Sequence, residues 1–187
     1  MDTSELKNGV KVIFDNAPWL VLHVDFVKPG KGAAFYKIRT QNMLTGNTLE
    51  KTLRSGEKII TADVTDVDMQ YLYNDPNGYV FMDKTTYDQL TVPVKVVGEQ
   101  KDFLLENMDV VMTTWNGEAI GIRLPNSVIM DIVYTEPAVK GDTQSRVMKP
   151  AKLQTGAEIQ VPIFVAQGDR ITVNTQTREY VGRVINK

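Results

Sequence analysis

A lysine between two glycines is the side chain of this sequence with the clearest potential for chemistry of its own. Lys31 stands in the segment Pro29-Gly30-Lys31-Gly32, with apolar runs on both sides. Pro29 fixes its φ angle, whereas Gly30 and Gly32 tolerate positive φ. The segment therefore predicts the tip of a β-hairpin with Lys31 in solvent. These four residues alone favour a lysine that merely keeps a turn soluble, so the rest of the chain has to decide.

Other reactive side chains are scarce. The 187 residues include no cysteine, which excludes disulfides, thiolate metal sites and cysteine nucleophiles. The single histidine, His23, lies in an apolar run, and we interpret it as a structural residue. Close carboxylates such as Asp66 and Asp68 arise by chance among 23 acids, so we assign them no catalytic role. Neither a phosphate-binding loop followed by a helix nor metal ligands at usable spacing occur in the sequence.

Charge is distributed unevenly along the chain. Residues 65–127 contain 4 basic and 10 acidic side chains, a net charge of −6, although the whole chain has only −2. Residues 1–64, with 9 basic and 7 acidic side chains, and residues 128–187, with 8 and 6, are each +2. Such segregation suits a protein whose ends contact phosphate while its centre faces solvent or another protein. A solvated acidic face would give the same pattern.

Composition predicts a globular, cytoplasmic protein. The hydrophobic content of 42% and charged content of 24% are ordinary for a chain with a sizeable core. No segment approaches the roughly 18 apolar residues of a membrane span, and the N-terminus lacks the features of a signal peptide. We therefore expect no membrane association.

Short apolar segments separated by turn residues predict an all-β protein of three small barrels. Each module has only about 60 residues and so a marginal core of its own. The first, residues 1–64, reads as an antiparallel barrel with strands at 10–14, 19–27, 34–39 and 48–54.

The modules at 65–127 and 128–187 each read as about five strands of an OB-type barrel. Short helices are predicted at 85–90 and 99–105, and a polar loop from Thr135 to Pro150. The predicted strands are 68–73, 79–82, 109–115 and 119–124 in the second module, and 128–134, 158–162, 171–174 and 180–185 in the third.

Short motifs follow one another in order through the whole chain. The first two modules contain Phe26-Val27-Lys28-Pro29-Gly30-Lys31-Gly32, Leu44-Thr45-Gly46, Glu50-Lys51-Thr52, Tyr71-Leu72-Tyr73-Asn74-Asp75 and Trp115-Asn116-Gly117. The third contains Val139-Lys140-Gly141-Asp142-Thr143, Lys149-Pro150-Ala151, Thr155-Gly156-Ala157, Val161-Pro162, Gly168-Asp169 and Glu179-Tyr180-Val181 with Arg183. Over its full length the sequence resembles the family of bacterial translation elongation factor P.

The resemblance implies an N-terminal KOW-like (SH3-like) barrel and two OB barrels, arranged in an elongated L shaped like tRNA. These expectations match the three modules at 1–64, 65–127 and 128–187. The archaeal and eukaryotic hypusine-bearing factor shares the first two barrels but lacks the third, so residues 128–187 favour the bacterial type.

The resemblance also implies a function without enzymatic activity. The family binds the ribosome between the P and E sites and promotes peptide bond formation at stalls such as consecutive prolines. Lys31 corresponds to the tip residue that reaches the CCA end of the P-site peptidyl-tRNA, and a modifying enzyme extends it in many members, for example by β-lysylation. The loop residues Lys28, Pro29, Gly30 and Gly32 would support this lysine.

Further contacts are implied for the third module. Gly141, Asp142 and Thr143 match the loop that lies near the mRNA codon of the E site, and Tyr180 and Arg183 match positions near tRNA and the small subunit. For the last two, core packing of Tyr180 and a plain surface charge at Arg183 remain the alternatives. We expect a monomer without a metal or another cofactor.

One departure from the family concerns the residues after the tip. Ala33-Ala34-Phe35 follow Gly32, where the lysine-tipped members closest in pattern have a polar residue first. The chemistry of a Lys31 modification therefore stays open. A paralogous factor is a second alternative, although its usual tip residue is arginine.

Two other classes of function compete with a translation factor. A generic OB-fold RNA-binding or RNA-chaperone protein should carry clustered aromatic residues on one exposed barrel face. We expect the seven Tyr and six Phe to be scattered mainly through strand cores instead. A hydrolase or transferase would need a base and a cofactor motif that the sequence lacks.

Overall fold

The computed structural model describes residues 1–138 and 147–185, and within them the protein is built from three five-stranded sheets. The all-β prediction is confirmed. The first sheet consists of β1 (Lys11–Phe14), β2 (Ala17–Val27), β3 (Phe35–Asn42), β4 (Thr48–Arg54) and β5 (Ile60–Thr61). The second consists of β6 (Val64–Asp75), β7 (Gly78–Asp83), β8 (Gln89–Val92), β9 (Asp109–Trp115) and β10 (Glu118–Arg123). The third consists of β11 (Ser127–Thr135), β12 (Met148–Leu153), β13 (Glu158–Pro162), β14 (Arg170–Asn174) and β15 (Glu179–Arg183).

The first sheet has the strand order β4-β3-β2-β1-β5. Its hydrophobic residues alternate along the strands, as expected for a sheet with one buried face. The indole of Trp19 lies within this core and donates a hydrogen bond to the Phe14 carbonyl at 3.0 Å, which satisfies its polar atom. The buried cluster consists of Leu6, Val12, Trp19, Val21, Ile38, Leu53 and Ile59.

The second sheet has the strand order β10-β9-β6-β7-β8, and it differs from the sequence prediction at residues 85–90. Residues 85–90 form a turn followed by the start of β8, so the helix predicted there is wrong. The Asp83 carboxylate accepts hydrogen bonds from the backbone amides of Thr85 and Thr86 at 2.7 and 3.1 Å, as the cap of a helix would, but Tyr87 has a φ of +64° and ends the helical turn before β8 begins. The helix predicted at 99–105 is present as a 3₁₀ helix, Gly98–Phe103, preceded by a single α-helical turn, Val94–Val97.

The third sheet has the strand order β13-β12-β11-β14-β15, and it differs from the sequence prediction in the segment Thr135 to Pro150. Strand β12 begins inside the segment predicted as a polar loop. The exposed residues of this strand are Met148, Pro150 and Lys152, and they alternate with the partly buried Lys149 and the fully buried Ala151 and Leu153. Only two side chains of the strand are therefore both apolar and buried, which is too few for a clear hydrophobic alternation. Pro150 pairs in register with Gln160 of β13.

The contacts of the backbone divide the chain into two compact units. One consists of Met1–Val67 and Met112–Gly121, and the other of Asp68–Val111 and Ile122–Lys187. The first sheet lies in the first unit, and the third sheet lies in the second.

Three hairpin loops, one in each sheet, share the same hydrogen-bonding pattern. In each, the side chain of an Asn or Asp accepts two backbone N–H groups, and its carbonyl accepts a third from a residue with positive φ. That last residue is Gly46 in the β3–β4 loop, Tyr87 in the β7–β8 loop and Arg178 in the β14–β15 loop, with φ of 79°, 64° and 63°. The accepting residues are Asn42, Asp83 and Asn174, whose side chains bond to residues 44 and 45, 85 and 86, and 176 and 177.

The left-handed position is strained for residues with a Cβ atom, by about 1–2 kcal/mol. Gly46 avoids this strain. Arg178 offsets it, because its guanidinium contacts the Asp102 carboxylate at 2.7 Å and lies 5.0 Å from the centre of the Phe103 ring.

Gly78, at the start of β7, is required by a close approach of two backbone segments. Its φ is +147°, and a Cβ atom would lie 2.3 Å from the Val92 carbonyl oxygen. We expect Gly78→Ala to lower the free energy of unfolding by roughly 2–4 kcal/mol, because backbone atoms of β8 would have to move. Urea unfolding followed by circular dichroism measures the change. Gly121→Ala is the matched control, since its added methyl meets no atom within 4 Å; equal losses in the two variants would contradict the close approach.

Candidate functional site

The candidate site is the loop that joins β2 to β3. The two strands pair as far as Val27 and Phe35, which leaves residues 28–34 as the connection and Lys31 at its centre. Lys28 and Lys31 are exposed, and among the described residues neither makes a side-chain hydrogen bond or an ion pair. The predicted hairpin and the exposed position of Lys31 are confirmed.

The two glycines of the loop differ in conformation. Gly32 has a φ of +108°, so the chain turns there with a geometry that favours glycine. Gly30 does not have positive φ, and an added Cβ would meet no atom within 4 Å. Both glycines tolerate positive φ, but only Gly32 adopts it. Pro29 is partly buried, and its Cγ is the atom nearest to a Cβ at Gly32, at 3.9 Å.

An aromatic pair supports the base of the loop. Phe26 pairs with Tyr36 one step before the last residue pair of the hairpin, and their ring centres lie 4.9 Å apart. Tyr36 pairs in turn with Leu53 of β4, which is buried in the core. Neighbouring side chains on three strands thus form a row that begins at the buried Leu53, continues with Tyr36 and ends at the 55% exposed ring of Phe26. This row connects the base of the loop to the packed core.

A β-bulge interrupts strand β2 farther from the loop than the Phe26–Tyr36 pair. The register shifts between Val21, which pairs with Thr40, and His23, which pairs with Arg39. One extra residue at this point reverses which side chains of β2 face the core. Val21 is buried before the bulge, and the even-numbered Val24 packs against the same core after it.

The face of the hairpin that points away from the core is polar. His23, Asp25, Lys37, Arg39 and Glu50 line a groove of about 540 Å³ on the outer side of β2, β3 and β4. The ring of His23 is 59% exposed, and its Nε2 lies 2.9 Å from the Asp25 carboxylate. His23 is thus a surface residue bonded to its strand neighbour rather than a side chain of the core.

Two of the residues predicted in the third module, Tyr180 and Arg183, lie on strand β15. Tyr180 is partly buried and borders a groove of about 480 Å³ with Arg178 and Met148. Arg183 is exposed, with its guanidinium 3.6 Å from the Asp169 carboxylate and 5.7 Å from the centre of the Phe164 ring. The predicted residues Gly141, Asp142 and Thr143 lie outside the described residues.

The aromatic side chains are less buried than expected. Of the seven Tyr and six Phe, only Tyr71, Phe81 and Phe103 are buried, so the prediction that most lie in strand cores is wrong. For Tyr71, burial and the neighbouring Tyr79 raise the pKa of the phenol above its ordinary value. The exposed aromatic residues are spread over all three sheets rather than over one face; they are Phe26, Tyr73, Tyr87, Tyr134 and Phe164.

Metal-binding clusters and membrane-spanning helices are both absent from the part of the chain that the structure describes. No cluster of three or more His, Cys, Asp or Glu side chains suited to a metal ion occurs in residues 1–138 and 147–185. No helix in this part of the chain is long and apolar enough to span a membrane.

Similar folds occur in two solved structures. Eukaryotic translation initiation factor 5A from Methanococcus jannaschii matches with a TM-score of 0.53 and 21% identity, over 66% of this chain and 93% of that chain. A translation initiation factor 5A family protein from Naegleria fowleri matches with a TM-score of 0.54 and 19% identity, over 66% and 96%. At these identities the likeness shows a common fold.

Sequence relatives extend over nearly the whole chain. Elongation factor P from Synechococcus sp. strain JA-2-3B'a(2-13) is 48% identical over 98% of this chain and 99% of the relative. Elongation factor P from Clavibacter michiganensis is 44% identical over 97% of each. These relatives are named as translation factors.

Three family models match successive parts of the sequence. Residues 2–59 match the elongation factor P KOW-like domain, residues 64–122 its OB domain and residues 128–183 its C-terminal domain. The predicted KOW-like and OB classes are thereby confirmed. Because these models and relatives span almost the full length, the chain belongs to the elongation factor P family of bacterial translation elongation factors.

Proposed function

We propose that this protein binds the ribosome between the P and E sites and promotes peptide bond formation at stalls such as consecutive prolines. Lys31 would reach the CCA end of the P-site tRNA. The observation that carries this proposal is an exposed lysine without an ion pair in the described residues, at the tip of a hairpin rooted in a buried core. Family membership supports the setting in translation.

The geometry suits a positioning role better than a chemical one. A lysine at the tip offers a cation to the phosphates of an RNA end. The paired strands and the Phe26–Tyr36 contact limit the directions in which that cation can point. Holding one reactant of a two-substrate reaction in place lowers the entropic part of the barrier without any group transfer by the protein. Lys28, Pro29, Gly30 and Gly32 would shape the loop.

We further propose three domains at residues 1–64, 65–127 and 128–187, working as a monomer in the cytoplasm. The C-terminal domain would contact the small subunit and tRNA through Tyr180 and Arg183, and the E-site codon through Gly141, Asp142 and Thr143. Tyr180 is only partly buried and lines a groove, and Arg183 is exposed, so both side chains are available for such contacts.

The amine of Lys31 is also suited to modification. It is exposed, it makes no hydrogen bond or ion pair with the described residues, and the flanking glycines have no side chains that would hinder an enzyme. We propose that a dedicated enzyme acylates it, by β-lysylation or a related reaction. The intact mass of protein from the native host, compared with the 21.0 kDa of the sequence, measures any added group.

Lys31→Ala tests the proposed function directly. We expect the variant to lose most relief of stalling on a message with three consecutive prolines, measured by toeprinting beside the purified, modified wild-type protein. We expect its melting temperature to stay within about 1 °C of the wild type, because an exposed tip side chain contributes little packing.

Lys7→Ala is the control for Lys31→Ala, since Lys7 is an exposed lysine of the same module outside the hairpin. Stall relief that survives Lys31→Ala, or an unchanged stall with the wild-type protein, would refute the proposal. A large loss of thermal stability in Lys31→Ala would show that the lysine also packs against the fold.

The two loop glycines provide a finer test. Gly32→Ala places a Cβ at a φ of +108°, so we expect the loop to change shape and stall relief to fall about tenfold. Gly30→Ala meets no atom within 4 Å and should keep activity within about twofold. Toeprinting over a range of protein concentrations gives both values. Equal effects of the two substitutions would contradict the loop geometry.

A further inference from the structure

Three asparagines of the chain are followed directly by glycine, and they are Asn8, Asn77 and Asn116. All three are exposed. Because glycine has no Cβ atom to hinder it, its backbone nitrogen can reach the side-chain carbonyl carbon of the asparagine before it. The attack needs a nitrogen that can lose its proton and turn toward that carbon. The hydrogen bonds of the three glycine amides therefore determine which asparagine can react.

Two of the three glycine amides are engaged in hydrogen bonds. The Gly9 N–H donates to the Val21 carbonyl at 2.7 Å. The Gly78 N–H donates to the Asp75 carboxylate at 3.1 Å, and Gly78 is buried. The Val92 carbonyl lies so close to Gly78 that the peptide has little room to turn. In both loops the nitrogen has to leave its acceptor before it can attack, which requires local opening of the fold.

The Gly117 amide, in contrast, makes no hydrogen bond with the residues that the structure describes. Gly117 is exposed, and a Cβ atom there would meet no atom within 4 Å, so its peptide has room to turn. With Asn116 it forms the two-residue turn between β9 and β10, with φ of +50° and +81°, as in a type I′ hairpin. The side chain of Asn116 likewise makes no hydrogen bond within the described residues. Both reacting groups are therefore unengaged at this turn alone among the three.

We propose that Asn116 is a site of spontaneous deamidation in the folded protein. The Gly117 nitrogen gives up its proton and attacks Cγ of Asn116. A bond forms between this nitrogen and Cγ, the bond between Cγ and Nδ2 breaks, and the side-chain nitrogen leaves as ammonia with the proton. Water then opens the cyclic imide at one of its two carbonyl carbons. Cleavage at Cγ gives aspartate, and cleavage at the main-chain carbonyl gives isoaspartate, in which the main chain runs through Cγ.

The two products differ in their effect on the hairpin. Aspartate tolerates positive φ and keeps the length of the turn. Isoaspartate adds one carbon atom to the main chain of a two-residue turn, whose geometry matches the twist of the paired strands. The Asn116 N–H also lies 3.5 Å from the Asp63 carbonyl oxygen, so the turn adjoins the segment before β6. Isoaspartate therefore disturbs both the turn and this contact.

The test follows the three asparagines of the wild-type protein by peptide mass spectrometry during incubation at mildly alkaline pH. We expect Asn116 to convert at least about fivefold faster than Asn8 or Asn77, the factor that one hydrogen bond contributes. Chromatography of the peptides separates the isoaspartyl from the aspartyl form. Asn116→Gln should abolish the early conversion, because glutamine would have to close a larger ring.

The denatured chain is the matched control, since guanidinium chloride removes the hydrogen bonds of all three loops. We expect the three asparagines to convert there within about threefold of one another. The same preference for Asn116 in the folded and the denatured chain would show that the fold does not select it, and would overturn the proposal. Equal rates in the folded protein, or faster conversion of Asn8 or Asn77, would also overturn it.

Thermal unfolding separates the effects of the two products. We expect Asn116→Asp to keep the melting temperature within about 1 °C of the wild type, and the purified isoaspartyl form to melt about 3 °C lower. Equal melting temperatures of these two forms would refute the proposed disturbance of the turn. None of these measurements involves the ribosome or Lys31, so a failure of the proposed function leaves their outcome unaffected.

Discussion

The pairing of β2 with β3 is the constraint on which the candidate site depends. Eight residue pairs run from Trp19 and Asn42 to Val27 and Phe35, and the lower part of this ladder is fixed by the buried side chains of Val21 and Ile38. A slip of one residue would turn the buried side chains outward, so the core determines the register. Because the register fixes where the strands end, it also determines that Lys31 lies at the centre of the loop.

Sequence patterns were informative where a local rule was strong. Proline and glycine around Lys31 predicted the hairpin correctly, because their backbone preferences act without tertiary contacts. Strand β12 was missed because only Ala151 and Leu153 of its residues are buried, and its exposed side chains resemble those of a loop. The helix at 85–90 was predicted from signals of a helix start, and the bonds of Asp83 to two amides do form such a start, but the positive φ of Tyr87 ends it after one turn.

The three hairpin loops with the shared hydrogen-bonding pattern have a common signature in the sequence. Each has Asn or Asp followed three residues later by threonine: Asn42 and Thr45, Asp83 and Thr86, Asn174 and Thr177. The same backbone bonds close all three, whereas the residue at the strained position differs. No rule of spacing predicts that Arg178 has a partner in the structure and Tyr87 has none within the described residues, since this depends on which elements lie nearby. Exposure of the aromatic residues was misjudged for the same reason.

The third strand beside the hairpin sets how far the lysine can reach. Strand β4 stays paired with β3 up to Phe35, which is also the last partner of β2, so three strands hold the base of the loop. Only residues 28–34 extend beyond the sheet, and the four residues from Val27 to Lys31 span at most about 13 Å at roughly 3.3 Å each. The number of residues in this loop, rather than the length of the strands, therefore limits the distance between Lys31 and the edge of the sheet.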